Sequence, residues 1–425
     1  MERIIVSEIT AHLYKNNLIT SDQHGFLKQL STCTNLLESV NDWTVLLEGG
    51  SKVAVAYVDF ARAFDSVTHT KLLRKLQMYG ISGDLLDFIS FYLSNRNHCT
   101  RVGNSLSSFA KIRSGVIQGS CIGPLLFVLF INDITNSLCP GSKAKLFADD
   151  LKLYATIETA LGVAYFQKCL DIIFKWSKDW QLEISYLKCF IILLDRRLNA
   201  TFCRPIFKLG DHVLEYKSTG SDLGVNIDEK LSFTDHISKI AMKAHQRSSL
   251  ILRSFTSRDT NSLVRAFKVY VRPILEYNSQ VWSPIAMKDI MAIEKVQKRF
   301  TKKIPGCKNL TYHQRLNKLN LESLELRRIR ADLKFTFKLI FNKTALKNKD
   351  FIIINNSNER QLRSHNYQIR PIHKLNTVRS NQNFFNRIVT IWNELPSTTN
   401  FNSINSFTNS ISKDFLARHC KLNFN

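Results

Sequence analysis

Two carboxylates stand side by side at Asp149-Asp150, between the apolar residues Leu146-Phe147-Ala148 and Leu151. A third, Asp59, closes the run Val53-Ala54-Val55-Ala56-Tyr57-Val58. With 21 Asp in 425 residues, about one Asp-Asp pair arises by chance. The ordinary reading of such a pair is a solvated turn. The apolar flanks argue otherwise here. Acids laid against a core repel one another and lose hydration unless a cation sits among them. Three carboxylates are a hard-oxygen set suited to two Mg²⁺ ions. Such a pair of ions activates an attacking oxygen and steadies a leaving phosphate in an in-line displacement.

Strands must position these acids. The β-branched run at 53–58, after Gly49-Gly50-Ser51, predicts a buried strand ending at Asp59. Residues 145–148, 149–150 and 151–155 predict strand, tight turn and strand. Helical spacing predicts helices over 4–17, 34–48, 68–79, 84–94, 122–137 and 159–180. A hairpin is expected over 98–112 and a Gly-punctuated loop over 114–120, with strand-like pieces at 189–194, 206–209 and 212–216. From 235 onward the pattern is almost all helical, at 235–256, 259–276, 285–303 and 321–343. Residues 344–378 read as a broken polar linker, and 379–418 as two short helices.

The chain is long enough for two or three packed units. Its 44% hydrophobic content, with 15 Gly and 8 Pro, excludes a collagen-like, linker-like or disordered chain. The formal charge is +24, unevenly spread. Residues 1–230 hold 25 basic and 23 acidic side chains, against 34 and 12 in 231–425. A nearly neutral chemical module is thus followed by a polycation, whose natural partner is a polyanion. The nine cysteines are scattered and never form CxxC, which reads as reduced thiols rather than a metal knuckle. The opening residues do not read as a signal peptide, and the apolar run 125–131 is too short to span a bilayer. No membrane partner is expected.

In order, Asp59-Phe60-Ala61-Arg62-Ala63-Phe64-Asp65, Ser114-Gly115-Val116-Ile117-Gln118-Gly119-Ser120 and Phe147-Ala148-Asp149-Asp150 resemble motifs A, B and C of reverse transcriptases. The nearest likeness is to non-LTR (LINE, jockey-like) retrotransposon enzymes. Gln23-His24-Gly25-Phe26 resembles the fingers segment ahead of motif A, and Trp180-Gln181-Leu182 with Lys188-Cys189 resembles motif D. Leu223-Gly224-Val225 with His236-Ile237 resembles the segment leading into the thumb. Arg272-Pro273-Ile274-Leu275-Glu276-Tyr277, Val281-Trp282 and Ile391-Trp392-Asn393-Glu394-Leu395-Pro396 are similar to the downstream region of the same elements.

The resemblance implies an α/β fold: a right-hand polymerase palm with partial fingers, followed by an all-α thumb and a basic helical C-terminal region. Its segments would be partial fingers at 1–52, palm at 53–230, helical thumb and connection at 231–345, and basic C-terminal region at 346–425. It implies an RNA-directed DNA polymerase, a nucleotidyltransferase working on an RNA template, a DNA primer and dNTP with two Mg²⁺ ions, or Mn²⁺, in the nucleus or cytoplasm. Asp59 and Asp149 would bind the metals, helped by the Phe60 carbonyl, with Asp150 contributing charge and geometry. Phe64 would lie beneath the sugar and collide with a 2′-hydroxyl; the alternative is a plain core aromatic. Gln118 and Gly119 would lie along the nucleotide and template base. Arg62 would face the triphosphate or be a surface arginine. Lys188 would protonate the leaving pyrophosphate or be an ordinary snorkelling lysine. Lys295, Lys298, Arg299, Lys302, Lys303 and the cluster Arg327, Arg328, Arg330 would neutralise phosphates along a duplex. Trp282, Tyr277 and Trp392 are expected in the core rather than stacked on bases.

The sequence departs from the family pattern at Ile117, where Pro is usual, and at Ser185, where Asn is usual. After Gly25-Phe26 it reads Leu27-Lys28-Gln29-Leu30, where a basic run is usual. The earliest fingers motifs lie outside the sequence, which suggests a truncated fragment with a weakened nucleotide grip. A non-catalytic RNA- or DNA-binding remnant is the rival reading, and a two-metal nuclease the lesser one.

Overall fold

The computed structural model describes residues 1–94, 96–196, 203–355, 365–374 and 382–422. The chain divides into two units, residues 1–35 with 50–218 and residues 36–49 with 219–425.

The first unit is built on β1 (Val53–Val58). Helix α1 (Glu2–Lys15) precedes it; α2 (Thr32–Glu48), next in the chain, falls mostly in the second unit, and α3 (Ala63–Ser66), α4 (His69–Met78) and α5 (Asp84–Leu93) follow β1 in the first. The expected hairpin over 98–112 is two nested pairs. β2 (Asn97–His98) pairs with β5 (Ala110–Lys111), and β3 (Arg101–Val102) with β4 (Ser105–Leu106). Then come α6 (Ile122–Ile131), β6 (Lys143–Phe147), β7 (Asp150–Thr156), α7 (Ala160–Trp180), β8 (Phe190–Leu194), β9 (Lys208–Leu209), β10 (His212–Val213) and β11 (Glu215–Tyr216). The main sheet has the order β11-β8-β1-β7-β6. β1 lies between two antiparallel neighbours and its successive residues are buried on both faces of the sheet, which is why its sequence is apolar without a break.

Register sorts the two faces of that sheet. Ala54, Ala56 and Val58 stand opposite Ala155, Leu153 and Leu151, and all six join one core with residues of α6 and α7. Every residue of α6 except Pro124 is buried, as an all-round apolar helix must be. α7 starts on a Thr159 cap that accepts from Gly162 N (3.0 Å) and stops at Gln181, whose φ of 58 ends the helical path. Alternation puts Tyr57, Lys152 and Tyr154 on the opposite face. That ladder ends at Val58↔Leu151, and Asp59 and Asp150 are the next residues beyond it on either side.

The second unit opens with the hairpin β12 (Thr219–Asp222) and β13 (Val225–Asp228). Its turn residues Leu223 (φ 45) and Gly224 (φ 81) both lie in the left-handed region, which matches the twist of a two-residue hairpin. Helices α8 (Thr234–Ser254), α9 (Thr260–Ala266), α10 (Arg272–Glu276), α11 (Ser279–Trp282), α12 (Met287–Lys302), α13 (Tyr312–Lys318) and α14 (Leu324–Ile340) follow. A second hairpin, β14 (Ile352–Asn355) with β15 (Gln368–Pro371), precedes α15 (Phe384–Asn393), α16 (Ile404–Ser410) and α17 (Lys413–Arg418).

Several expectations are corrected here. The C-terminal region from 346, expected to be helical, also carries the hairpin β14–β15. The single helix expected over 259–276 is interrupted by a π turn at Phe267–Val271, just before Pro273, whose missing N–H breaks the regular ladder. Residues 379–418 hold three described helices rather than two, and much of the expected linker at 344–378 lies outside the described residues. Trp282 and Trp392 are fully buried as expected, but Tyr277 is exposed and donates its hydroxyl to the Leu223 carbonyl (3.1 Å). No helix among the described residues is long and apolar enough to cross a membrane.

Candidate active site

Asp59 leaves β1 where the strand gains a new neighbour. Ala61 N donates to the Glu183 carbonyl and Ser185 N to the Asp59 carbonyl (2.8 Å each), forming an antiparallel bridge of Phe60 with Ile184. In that pattern Phe60 itself is the non-hydrogen-bonded residue, so its carbonyl faces the other edge of the strand, the side on which β7 lies. Asp59 N also donates to the Cys189 sulfur (3.5 Å). Burial pushes this thiol up to about 11, with the Asp59 charge adding to it, so Cys189 is a neutral packing group.

β6 and β7 pair from Phe147↔Asp150 outward, which leaves Ala148-Asp149 as a two-residue turn. Asp149 therefore sits at the tip and Asp150 on the first rung of the ladder. The Asp149 carboxyl is held above the ordinary carboxylate range, first by burial and then by the negative charge of Asp59. Its own backbone hydrogen bond and Lys188 oppose the shift. The Lys188 ammonium lies 3.1 Å from the Asp59 carboxylate. The two expected metal acids thus interact electrostatically, with a lysine in the role of counter-ion.

As a donor set, Asp59, Asp149 and the Phe60 carbonyl fit a hard divalent cation, and their mutual repulsion is what a cation relieves. Among the described residues, no three His, Cys, Asp or Glu side chains gather in a ligating cluster. The fit therefore rests on two carboxylates, with Asp150 alongside.

The raised Asp149 pKa has a definite sign in stability. An acid raised by folding contributes stability while protonated, and that contribution is lost as pH rises through the folded pKa. Without divalent cation, Asp149→Asn is expected to melt about 1–3 °C above wild type at pH 7.5. At pH 3.5 the two should coincide, and Mg²⁺ should narrow the gap at pH 7.5. Thermal melts at both pH values check this; a lower melting point for the variant at pH 7.5 contradicts it.

The loop expected over 114–120 is tied to the segment after Asp59. Val116 N donates to the Phe64 carbonyl and Gly115 N to the Val67 carbonyl (2.8 Å each). Ser114 Oγ donates to the Asp65 carbonyl (2.9 Å), and Gln118 Nε2 to the Asp65 carboxylate (2.7 Å). A Cβ at Gly115 would meet the Asp65 backbone at 2.8 Å, so only glycine allows the approach. Gly119 faces open space, and its φ of 86 rather than crowding calls for glycine. Phe64 is half-buried, stacked on Phe127 (4.2 Å between centroids) and edge-on to Phe26 (5.9 Å). Arg62 is exposed beside it with a left-handed backbone (φ 47).

Sequence reasoning missed Glu2. Its carboxylate accepts from Cys121 N (2.6 Å), Ile122 N (3.4 Å) and the Tyr92 hydroxyl (2.7 Å), which caps α6 directly after the loop. The Tyr92 hydrogen bond first, then the Cys121 N–H, holds this carboxyl below the ordinary range.

The two basic clusters part company. On α12, Lys295, Arg299 and Lys302 are exposed, as is the capping Lys303, and Lys298 lies over the Tyr312 ring (5.1 Å). The i, i+3/4, i+7/8 spacing collects these five on one face, while Ile290, Ile293, Val296 and Phe300 are buried. On α14 the expectation is corrected. Arg328 is 2% exposed, among the charges of Glu294, Glu325 and Asp332. Arg327 forks onto Glu276 (Nη2–Oε2 3.0 Å), and Arg330 pairs with Glu322 (2.7 Å). These three guanidiniums serve internal carboxylates, because α10, α11, α12, α15, α16 and α17 all pack around α14.

Residues 1–230 match the family described as "Reverse transcriptase (RNA-dependent DNA polymerase)". The "Probable RNA-directed DNA polymerase from transposon BS" of Drosophila melanogaster is 26% identical over 342 residues, covering 74% of this chain and 36% of that protein. The "RNA-directed DNA polymerase from mobile element jockey" of Drosophila funebris is 28% identical over 327 residues, covering 72% of this chain and 34% of that protein. This chain thus spans about a third of the length of these curated relatives. A telomerase structure from Candida tropicalis aligns with TM-score 0.44 at 8% identity over 79% of this chain and 50% of that one, a likeness too slight to build on. The family match takes in more than half of the 425 residues, and the chain belongs to the reverse transcriptase family.

Proposed function

We propose that this chain performs RNA-directed DNA polymerisation as part of a non-LTR retrotransposon, adding dNTP to a primer 3′-hydroxyl. The observation that carries the reading is that Asp59 and Asp149 stand at adjoining strand ends within the family-matched region, near enough for the charge of one to raise the carboxyl of the other. Asp59, Asp149 and the Phe60 carbonyl hold the cations, and Asp150 adds negative charge beside them. Two Mg²⁺ ions, or Mn²⁺, bound there would supply activation of the 3′-hydroxyl and charge relief on the leaving pyrophosphate. Lys188, its ammonium 3.1 Å from the Asp59 carboxylate, gives a proton to that leaving group. The Phe64 ring, fixed on Phe127, excludes a 2′-hydroxyl. Gln118 and Gly119 lie along the nucleotide, and Arg62 faces its triphosphate.

In this reading, residues 1–52 are partial fingers and 53–230 the palm. Residues 231–345 form the thumb and connection, and 346–425 a basic C-terminal region. The α12 face grips a primer–template duplex through its phosphates. Replacing Lys295, Arg299 and Lys302 together with Gln should flatten the slope of log K against log salt by about 2–3. The melting temperature should move by less than about 2 °C, since all three are exposed. An unchanged slope removes α12 from the interface.

The function is tested by extending a DNA primer on an RNA template with dNTP and Mg²⁺ or Mn²⁺. Synthesis that Asp149→Asn abolishes supports the reading. Tight binding of the primed template with no synthesis under either cation replaces it with a non-catalytic binding role.

A further inference from the structure

The tip of the β6–β7 hairpin is held in a conformation it would not choose. Ala148 lies at φ 57, a left-handed region that disfavours any residue bearing a Cβ. The side chain of Gln23, 0% exposed, pairs with this residue twice. Its Oε1 accepts from Ala148 N (2.9 Å), and its Nε2 donates to the Ala148 carbonyl (3.2 Å). The same Oε1 accepts from Gly25 N (2.7 Å).

The surrounding backbone sets this up. His24 N donates to the Leu146 carbonyl, and Leu146 N to the Asp22 carbonyl (2.9 Å each), so Gln23 forms a parallel bridge with Leu146 on the free edge of β6. Asn35 Nδ2 donates to the same Leu146 carbonyl (2.9 Å). Where this short ladder stops, the Gln23 carboxamide continues it, offering one donor and one acceptor as a peptide unit would. Gly25 is bound to the same geometry, since a Cβ there would come 2.3 Å from Ala148 N.

We propose that Gln23 is the positioning residue of the Asp149 turn: it holds Ala148 left-handed so that Asp149 is presented beside Asp59 for a divalent cation. The proposal rests on the two-carboxylate cation site proposed above. Neither Glu, which lacks the donor, nor Met, which lacks both groups, can replace the amide.

Terbium(III), a luminescent substitute for Mg²⁺, tests this without nucleic acid or turnover. Wild type should bind Tb³⁺ at a site lost in Asp149→Asn. Gln23→Met, which keeps the side-chain volume, should bind about tenfold more weakly. Adding Ala148→Gly to Gln23→Met should recover most of that loss, because glycine adopts the left-handed turn unaided. If Gln23→Met does not melt cooperatively, Gln23→Glu, which keeps the size and the acceptor but loses the donor, carries the same test with the same rescue. Unchanged affinity in the Gln23 variant, or a loss that Ala148→Gly leaves unrepaired, overturns the proposal while sparing the cation site. Absence of any Asp149-dependent Tb³⁺ signal in wild type overturns the cation site, and the proposal with it.

Discussion

Asp149→Asn should lower primer extension by at least about 10³-fold, close to 4 kcal/mol of transition-state stabilisation. Affinity for a primed RNA template should stay within about twofold, since the basic residues proposed to face phosphates lie elsewhere in the sequence. The size of the effect follows from where the charge sits. Asp149 lies at the hairpin tip, partly desolvated and under the field of Asp59. An amide of the same shape keeps the turn and removes one of two interacting carboxylates. The same substitution should raise cation-free stability, so loss of activity with a higher melting point separates lost chemistry from lost fold. A variant that still extends primers at more than a tenth of the wild-type rate would show that Asp149 is not a metal ligand.

Arg328→Met should destabilise the second unit by about 3–5 kcal/mol, the usual consequence of removing one partner from a buried charge cluster. Arg328 lies among Glu294, Glu325 and Asp332, all of them buried, and shares Asp332 with Arg387 (2.9 Å). Glu294 accepts from Leu324 N (3.1 Å) and Glu325 from Lys421 N (2.8 Å) and Leu422 N (3.0 Å), so the acids also anchor backbone. Left without the guanidinium, Glu294 and Glu325 must take up protons or draw in water, while Asp332 keeps Arg387. Urea unfolding measures the loss. The salt dependence of nucleic-acid binding, measured on the folded variant, should not change. A variant that keeps its stability and loses affinity instead would return Arg328 to the phosphate-binding surface.

These two substitutions mark what could be read in advance and what could not. β1, the β6–β7 hairpin and α7 follow from local pattern, because each is a short apolar run or a helical stripe bounded by turn residues. The exposed basic face of α12 follows in the same way, since one side of that helix is apolar. The α14 arginines carry a similar pattern but a different fate. Helices from both ends of the second unit cover α14, and a polar stripe does not reveal whether water or another helix lies over it. The hairpin β12–β13 escaped notice because its residues, Thr219-Gly220-Ser221-Asp222 and Val225-Asn226-Ile227-Asp228, lack a continuous apolar run.

Within the candidate site, residue types and order named the acids, the glycine loop and the aromatic Phe64. Periodicity and motif order are properties of neighbours along the chain, and for those the sequence alone was sufficient. The closeness of Asp59 to Asp149, the Lys188 counter-ion, the Glu2 cap on α6 and the double grip of Gln23 on Ala148 arose only on folding. Each joins residues from about 90 to about 130 positions apart, and which atoms meet across such a gap depends on strand register and helix packing, which local propensity does not encode.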